Sequence, residues 1–300
     1  MTRFPDVNWS NVKSPVVATT AIAGVLGVWL WSRWKRDATP TAVPDTVQLG
    51  RRSDEITLIG FPRVSDVVSS CSPYVAKVEA WLRFVGLPYT RKNGAPSDSP
   101  KGQLPVILHG KNTIGDSYFI IKYLEQTYPE VVMQASPEEQ AMSVAVQHLV
   151  DDFLNKGLGY YRWVHPEGWE GVKRHFLKEV PQPMRAWLLE RMRPKVRSAM
   201  TIQGLARHSE RDILWMLDEA LAALSAILGG KKYILGNQPC IADACAFGFL
   251  DSVLFDTECI APELREAAMQ YDNLVSYTER IRCAYFEGEL TWEETASFGS

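Results

Sequence analysis

The sequence predicts an α+β half followed by an all-helical half, with one apolar segment of membrane-spanning length ahead of both. Three observations carry this prediction: an uncharged run near the N-terminus, alternating short strands and helices between residues 56 and 128, and helical periodicity from residue 138 to about 285.

Between Lys13 and Arg33 lie nineteen uncharged residues, from Ser14 to Ser32. That length is near the lower end of what spans a hydrocarbon core. Trp29, Trp31 and Trp34 cluster at one end, where amphipathic rings favour the interface. Arg33, Lys35 and Arg36 follow, against Arg3 and Lys13 on the other side. The bias predicts a single-pass protein, with Ser14–Ser32 in the lipid bilayer and the folded domain cytosolic. Tryptophans and basic residues directly after the run argue against a cleavable signal peptide. Thr19, Ala23 and Gly27 line small residues along one side of this helix, a face on which two copies can pack. Residues 37–54, rich in Pro, Thr and charge, read as a linker.

The apolar run over 56–61 reads as a buried strand. Residues 73–85 read as a helix with Val75, Val78, Leu82 and Val85 on one face and Gly86 after its end. Strands follow over 88–91 and 104–109, then a turn at Gly110-Lys111-Asn112 and a return strand over 112–114. A helix over 116–128 is expected to turn Phe119, Ile120, Tyr123 and Leu124 inward. This order of elements is that of a thioredoxin-like domain. In the second half, Ser209 and Asp212 form a capping box with Asp in place of Glu. It opens a helix striped with Ile213, Leu214, Leu217, Leu221, Leu224 and Leu228 and closed by Gly229-Gly230.

Composition excludes several functions. The net charge of −3 comes from interspersed acids and bases, so nucleic acid is not an expected partner. Five scattered cysteines and five dispersed histidines show no metal-ligand spacing, so no metal is expected. There is no GxGxxG, Walker A, HExxH or GxSxG motif.

Ser72-Pro73-Tyr74, with the stretch from Trp81 to Tyr89, resembles the first helix and second strand of glutathione transferases. Lys101-Gly102-Gln103-Leu104-Pro105 and Ile114-Gly115-Asp116-Ser117 are similar to that fold's glutathione-site motifs. The passages 203–209, 233–236, 243–250 and 273–282 resemble the failed axon connections and metaxin-like subgroup. The apolar run with its flanks and the Pro-rich stretch after it set an anchor over 1–36 and a linker over 37–54, and the resemblance implies a thioredoxin-like N-terminal domain over 55–130 and an all-helical C-terminal domain over 137–290. It also implies glutathione as co-substrate, a small electrophile as second substrate, and a homodimer. The candidate membranes are the mitochondrial outer membrane and the endoplasmic reticulum. Two functions follow from different classes: glutathione conjugation, or a non-catalytic adaptor role such as metaxin-like proteins have in mitochondrial outer-membrane import.

Ser72 before Pro73 suits an N-cap. By resemblance its hydroxyl is also the group that would stabilise a glutathione thiolate at the positive end of the helix. Cys71 competes for that catalytic role, since a helix N-terminus can acidify a thiol. Leu104-Pro105 is expected to be a cis peptide whose leucine backbone pairs with the cysteinyl residue of glutathione. Asp116 is expected to face the γ-glutamyl ammonium, and Ser117 its carboxylate. Lys101 and Gln103 are expected at the glycine carboxylate. Cys240 stands where the fold usually has a hydroxyl N-cap, three residues before Asp243, and is assigned a folding role.

Overall fold

β1 (Ile56–Gly60) lies inside a four-stranded sheet of order β2-β1-β3-β4. It runs parallel to β2 (Tyr89–Asn93) and antiparallel to β3 (Val106–His109), and β3 pairs antiparallel with β4 (Asn112–Gly115). α1 (Pro73–Phe84) connects the two parallel strands, and α2 (Ser117–Thr127) follows β4. This is the thioredoxin-like half that the sequence predicts. The computed structural model describes residues 54–61, 68–177 and 180–287. The expected anchor at Ser14–Ser32 and the Thr19, Ala23 and Gly27 face lie outside the described residues, as does the linker except for Asp54. Among the described residues no helix is long and apolar enough to cross a membrane.

β2 and β3 start one and two residues later than expected, each directly after a proline, which has no N–H for the ladder. The inward face of α2 also needs correcting. Ile120, Ile121, Tyr123 and Leu124 are buried, but Phe119 is 42% exposed and lies 4.1 Å beneath the Lys101 ammonium. A full turn of helix cannot point every apolar residue at one core.

The helical half contains α3 (Pro137–His148), α4 (Asn155–Trp163), α5 (Pro166–His175), α6 (Met184–Ile202), α7 (Glu210–Leu228), α8 (Ile241–Phe255), α9 (Pro262–Met269) and α10 (Asp272–Phe286). A π-helical segment, Leu149–Leu154, joins α3 to α4. Half of the predicted capping box of α7 forms: Ser209 Oγ accepts the Asp212 N–H at 3.2 Å, but the Asp212 carboxylate accepts the Ser209 hydroxyl and not its backbone N–H. α8 is buried along its whole length from Ile241 to Leu254. Its Cys240 cap works as a donor: the backbone N–H and the thiol both point at an Asp243 Oδ2, at 2.8 and 3.1 Å.

α1 packs against α8, and a single core runs through both halves. The close approach rests on Gly248. A Cβ there would stand 2.4 Å from the Pro73 carbonyl oxygen and 3.1 Å from the Lys77 nitrogen. Fully buried Asp251 of α8 accepts the N–H and hydroxyl of Ser69 at 2.9 and 2.6 Å and pairs with Arg282 of α10. The segment leading into α1 is thereby fixed to the centre of the helical half.

Candidate functional site

The first turn of α1, the β3 entry and the start of α2 converge on one cavity of about 690 Å³. Ser72, Gln103, Leu104, Pro105, Asp116 and Ser117 all line it. These come from three separate stretches of sequence, and each is held by ordinary backbone physics.

Ser72 is the N-cap of α1 and Pro73 its first residue. The Ser72 hydroxyl accepts the Val75 N–H at a long 3.5 Å, so the cap leaves it free to bond a ligand as well. Leu104-Pro105 is a cis peptide, and neither the N–H nor the carbonyl of Leu104 is hydrogen-bonded among the described residues. Asp116 caps α2, accepting the Tyr118 N–H at 2.9 Å. Its own N–H donates to the Pro105 carbonyl at 3.2 Å, tying the two stretches together. Ser117 is 5% exposed, and its hydroxyl has no hydrogen-bond partner among the described residues.

Asp116 has φ of +82°, a conformation that costs a non-glycine residue about 1–3 kcal/mol. Strain of this kind is kept where a ligand-binding geometry needs it. Asp116→Gly removes the strain at the cost of extra freedom in the unfolded chain. Its stability is expected to be unchanged or raised by up to about 1 kcal/mol. Asp116→Ala keeps the strain and loses the cap, and should be about 1 kcal/mol less stable. Denaturation midpoints of the two variants check this opposition.

Two expected site residues are not brought to the cavity. Cys71 packs among Trp169, Val172, Phe176, Leu189 and Cys259 and is 5% exposed. Burial pushes its thiol up to about 11, against the pull of Arg162, so it is not acidified. One position along the chain separates the core-facing Cys71 from the cavity-facing Ser72. Lys101 sits over the Phe119 ring and does not line the cavity.

The sequence reading missed the far wall. Tyr74, Lys122, Gln147, His148, Asp151 and Asp152 complete the cavity. Asp151 and Asp152 belong to the π-helical segment, whose wider turn shifts the helical register. The Tyr74 hydroxyl donates to the Asp151 carbonyl at 3.2 Å. Burial first, then the charges of Asp151, Asp152 and Asp116, hold that phenol well above its usual range, with Lys77 acting the other way. Asp151 is paired with buried Lys77 at 2.5 Å. Burial works against the Lys77 ammonium, but the adjoining Asp151 carboxylate outweighs it and holds its ionisation above the usual range. Among the described residues Asp152 pairs only with exposed His148, at 2.6 Å.

A thioredoxin-like sheet joined to an all-helical half, with a cis-proline and a helix-capping serine on one cavity, defines the glutathione transferase fold. The chain belongs to the glutathione S-transferase family. The family profile of the glutathione S-transferase N-terminal domain matches residues 73–168, and that of the C-terminal domain matches 217–281. The isoprene-epoxide–glutathione S-transferase of a Rhodococcus species is 30% identical, over 73% of this chain and 94% of the relative. Failed axon connections of Drosophila melanogaster is 27% identical over 87% of this chain, which spans 64% of that protein. Human metaxin-2 is 27% identical over 70% of this chain and 81% of the relative. In fold, the chain is similar to a glutathione S-transferase of Ceriporiopsis subvermispora solved in complex with glutathione. The TM-score is 0.55 at 17% identity, over 80% of this chain and 99% of that one.

Proposed function

We propose that this chain is a non-catalytic, metaxin-like adaptor that works at a membrane and keeps a cavity for glutathione. The observation that carries the reading is the acidic wall. Asp151 and Asp152 share the cavity with Ser72, and both, with Asp116, act on the hydroxyl of Tyr74 two residues further along α1. Nearby negative charge favours a bound thiol over a thiolate, and Lys77 offsets Asp151 only. Asp116 suits the γ-glutamyl ammonium, and the unpaired Leu104 backbone suits the cysteinyl residue. Binding and activation of the peptide therefore come apart. The likeness to metaxin-2 and Failed axon connections supports the same reading, and Ser14–Ser32 supplies the membrane attachment.

A second reading, conjugation of glutathione to a small electrophile, has its own support. Ser72 caps a helix and faces the cavity, and the Rhodococcus relative is named as a transferase that acts on an epoxide. Conjugation rates with an aryl halide and a small epoxide separate the two. The adaptor reading predicts a wild-type rate no faster than that of Ser72→Ala, with Asp152→Asn the variant in which activity rises. A wild-type rate well above background that disappears in Ser72→Ala would establish the enzyme instead.

A further inference from the structure

On the helical half, away from the glutathione cavity, three helix beginnings meet. His165 is the N-cap of α5, Glu210 the first residue of α7 and Glu263 the second residue of α9. His165 Nε2 lies 3.0 Å from a Glu210 carboxylate oxygen and 3.9 Å from a Glu263 oxygen. One ligand atom from each of the three residues lies within 4.8 Å of the other two. Ligand atoms on a tetrahedral zinc ion stand about 3.3–3.6 Å apart, given bonds of about 2.0–2.2 Å. The three groups are therefore within a small side-chain adjustment of a shared cation.

Two unsatisfied atoms mark the spot, one of them outside the three ligands. Tyr161 is fully buried, stacked on the His165 ring at 5.5 Å between centroids, and its hydroxyl has no hydrogen-bond partner among the described residues. Glu263 Oε2 is likewise buried and unpartnered. A buried hydroxyl without a partner is unfavourable, and a water on a bound cation would satisfy it.

The site is held by backbone. The Tyr161 carbonyl accepts the Ala261 N–H at 3.2 Å, which sets the start of α9 and so Glu263. Gly168 lets α5 close on the same carbonyl, where a Cβ would stand 1.8 Å away. Glu210 is 46% exposed and leaves an entry path on one side.

We propose that His165, Glu210 and Glu263 bind a divalent transition-metal cation, with zinc the best match to one imidazole and two carboxylates. The ring's Nδ1 faces the Glu167 N–H at a long 3.3 Å, so the neutral imidazole carries its proton on Nε2. Binding gives the Nε2 lone pair to the cation and moves that proton to Nδ1. The His165 ring then gives up its long cap bond from the Glu167 N–H and swings off that donor.

The test is titration of the chelator-treated full-length chain with Co²⁺ by visible absorption and with Zn²⁺ by calorimetry. A single equivalent should bind, giving weak d–d bands without thiolate charge-transfer absorption, and Zn²⁺ should raise the Tm. His165→Ala and Glu263→Gln should each weaken binding at least about tenfold. Glu210→Gln, at a more exposed position that tolerates change, should do the same with the fold intact. Glu219→Gln, an exposed acid elsewhere on α7, should not. No binding, binding unaffected by Glu210→Gln and Glu263→Gln, or thiolate bands that vanish in Cys283→Ser would each overturn the proposal.

Discussion

Asp251→Ala should cost about 3–5 kcal/mol of stability, the usual result of breaking a buried pair by removing one partner. Asp251 is 0% exposed and Arg282 is 2% exposed, so the guanidinium left behind has no water to turn to. The same carboxylate takes both bonds from Ser69. Asp251→Asn keeps an acceptor for Ser69 but not the charge, and should fall between wild type and alanine. Asp251→Ala combined with Arg282→Met should recover part of the loss, because the buried cation is removed with its carboxylate. Chemical denaturation midpoints at constant slope read all three. Equal losses in the single and double variants would mean that the pair contributes through packing alone.

The second large effect links stability to the site. Gly248→Ala places a methyl 2.4 Å from the Pro73 carbonyl oxygen, and that oxygen is backbone, with no rotamer to escape into. Overpacking of this kind costs about 1–3 kcal/mol. Relief requires α1 to shift away from α8 at its first turn, the turn that carries Ser72. Gly248→Ala should therefore lose stability and glutathione binding together. Gly230→Ala is the control: nothing lies within 4 Å of a Cβ there. It should be neutral or slightly stabilising. Glutathione binding that survives intact in Gly248→Ala would show that the helical half, and not α1, absorbs the strain.

The N-terminal half of the fold was legible because its signals are local. Pro73 and Gly86 punctuate α1, Gly110 turns β3 into β4, and each apolar run fits one strand. The near wall of the cavity was legible for the same reason, since Ser72, Leu104-Pro105 and Asp116-Ser117 each sit at the edge of a recognisable element. Cys71 against Ser72 was not, because one residue of rotation at a helix entrance decides which faces the core. Lys101 was misplaced because a flexible cation found an aromatic face nearer than the cavity. The far wall had no sequence signal. Asp151-Asp152 reads as a polar break in a helix, and only a π-helical register turns it to the site. The His165, Glu210 and Glu263 cluster draws on three helices separated by 45 and 53 residues, beyond any motif spacing.

The central claim is that the cavity holds glutathione with Asp116 on its ammonium and the Leu104 backbone on its cysteinyl residue. Calorimetric titration of the full-length chain with glutathione tests it most directly. Binding heat should appear in the wild type and in Ser72→Ala alike, because the role proposed for the Ser72 hydroxyl is toward the sulfur and not the peptide's charged ends. Asp116→Ala should weaken binding by about tenfold or more, as loss of a hydrogen bond to a charged group costs about 1.5–3 kcal/mol. No heat in the wild type, or heat unchanged in Asp116→Ala, would contradict the account.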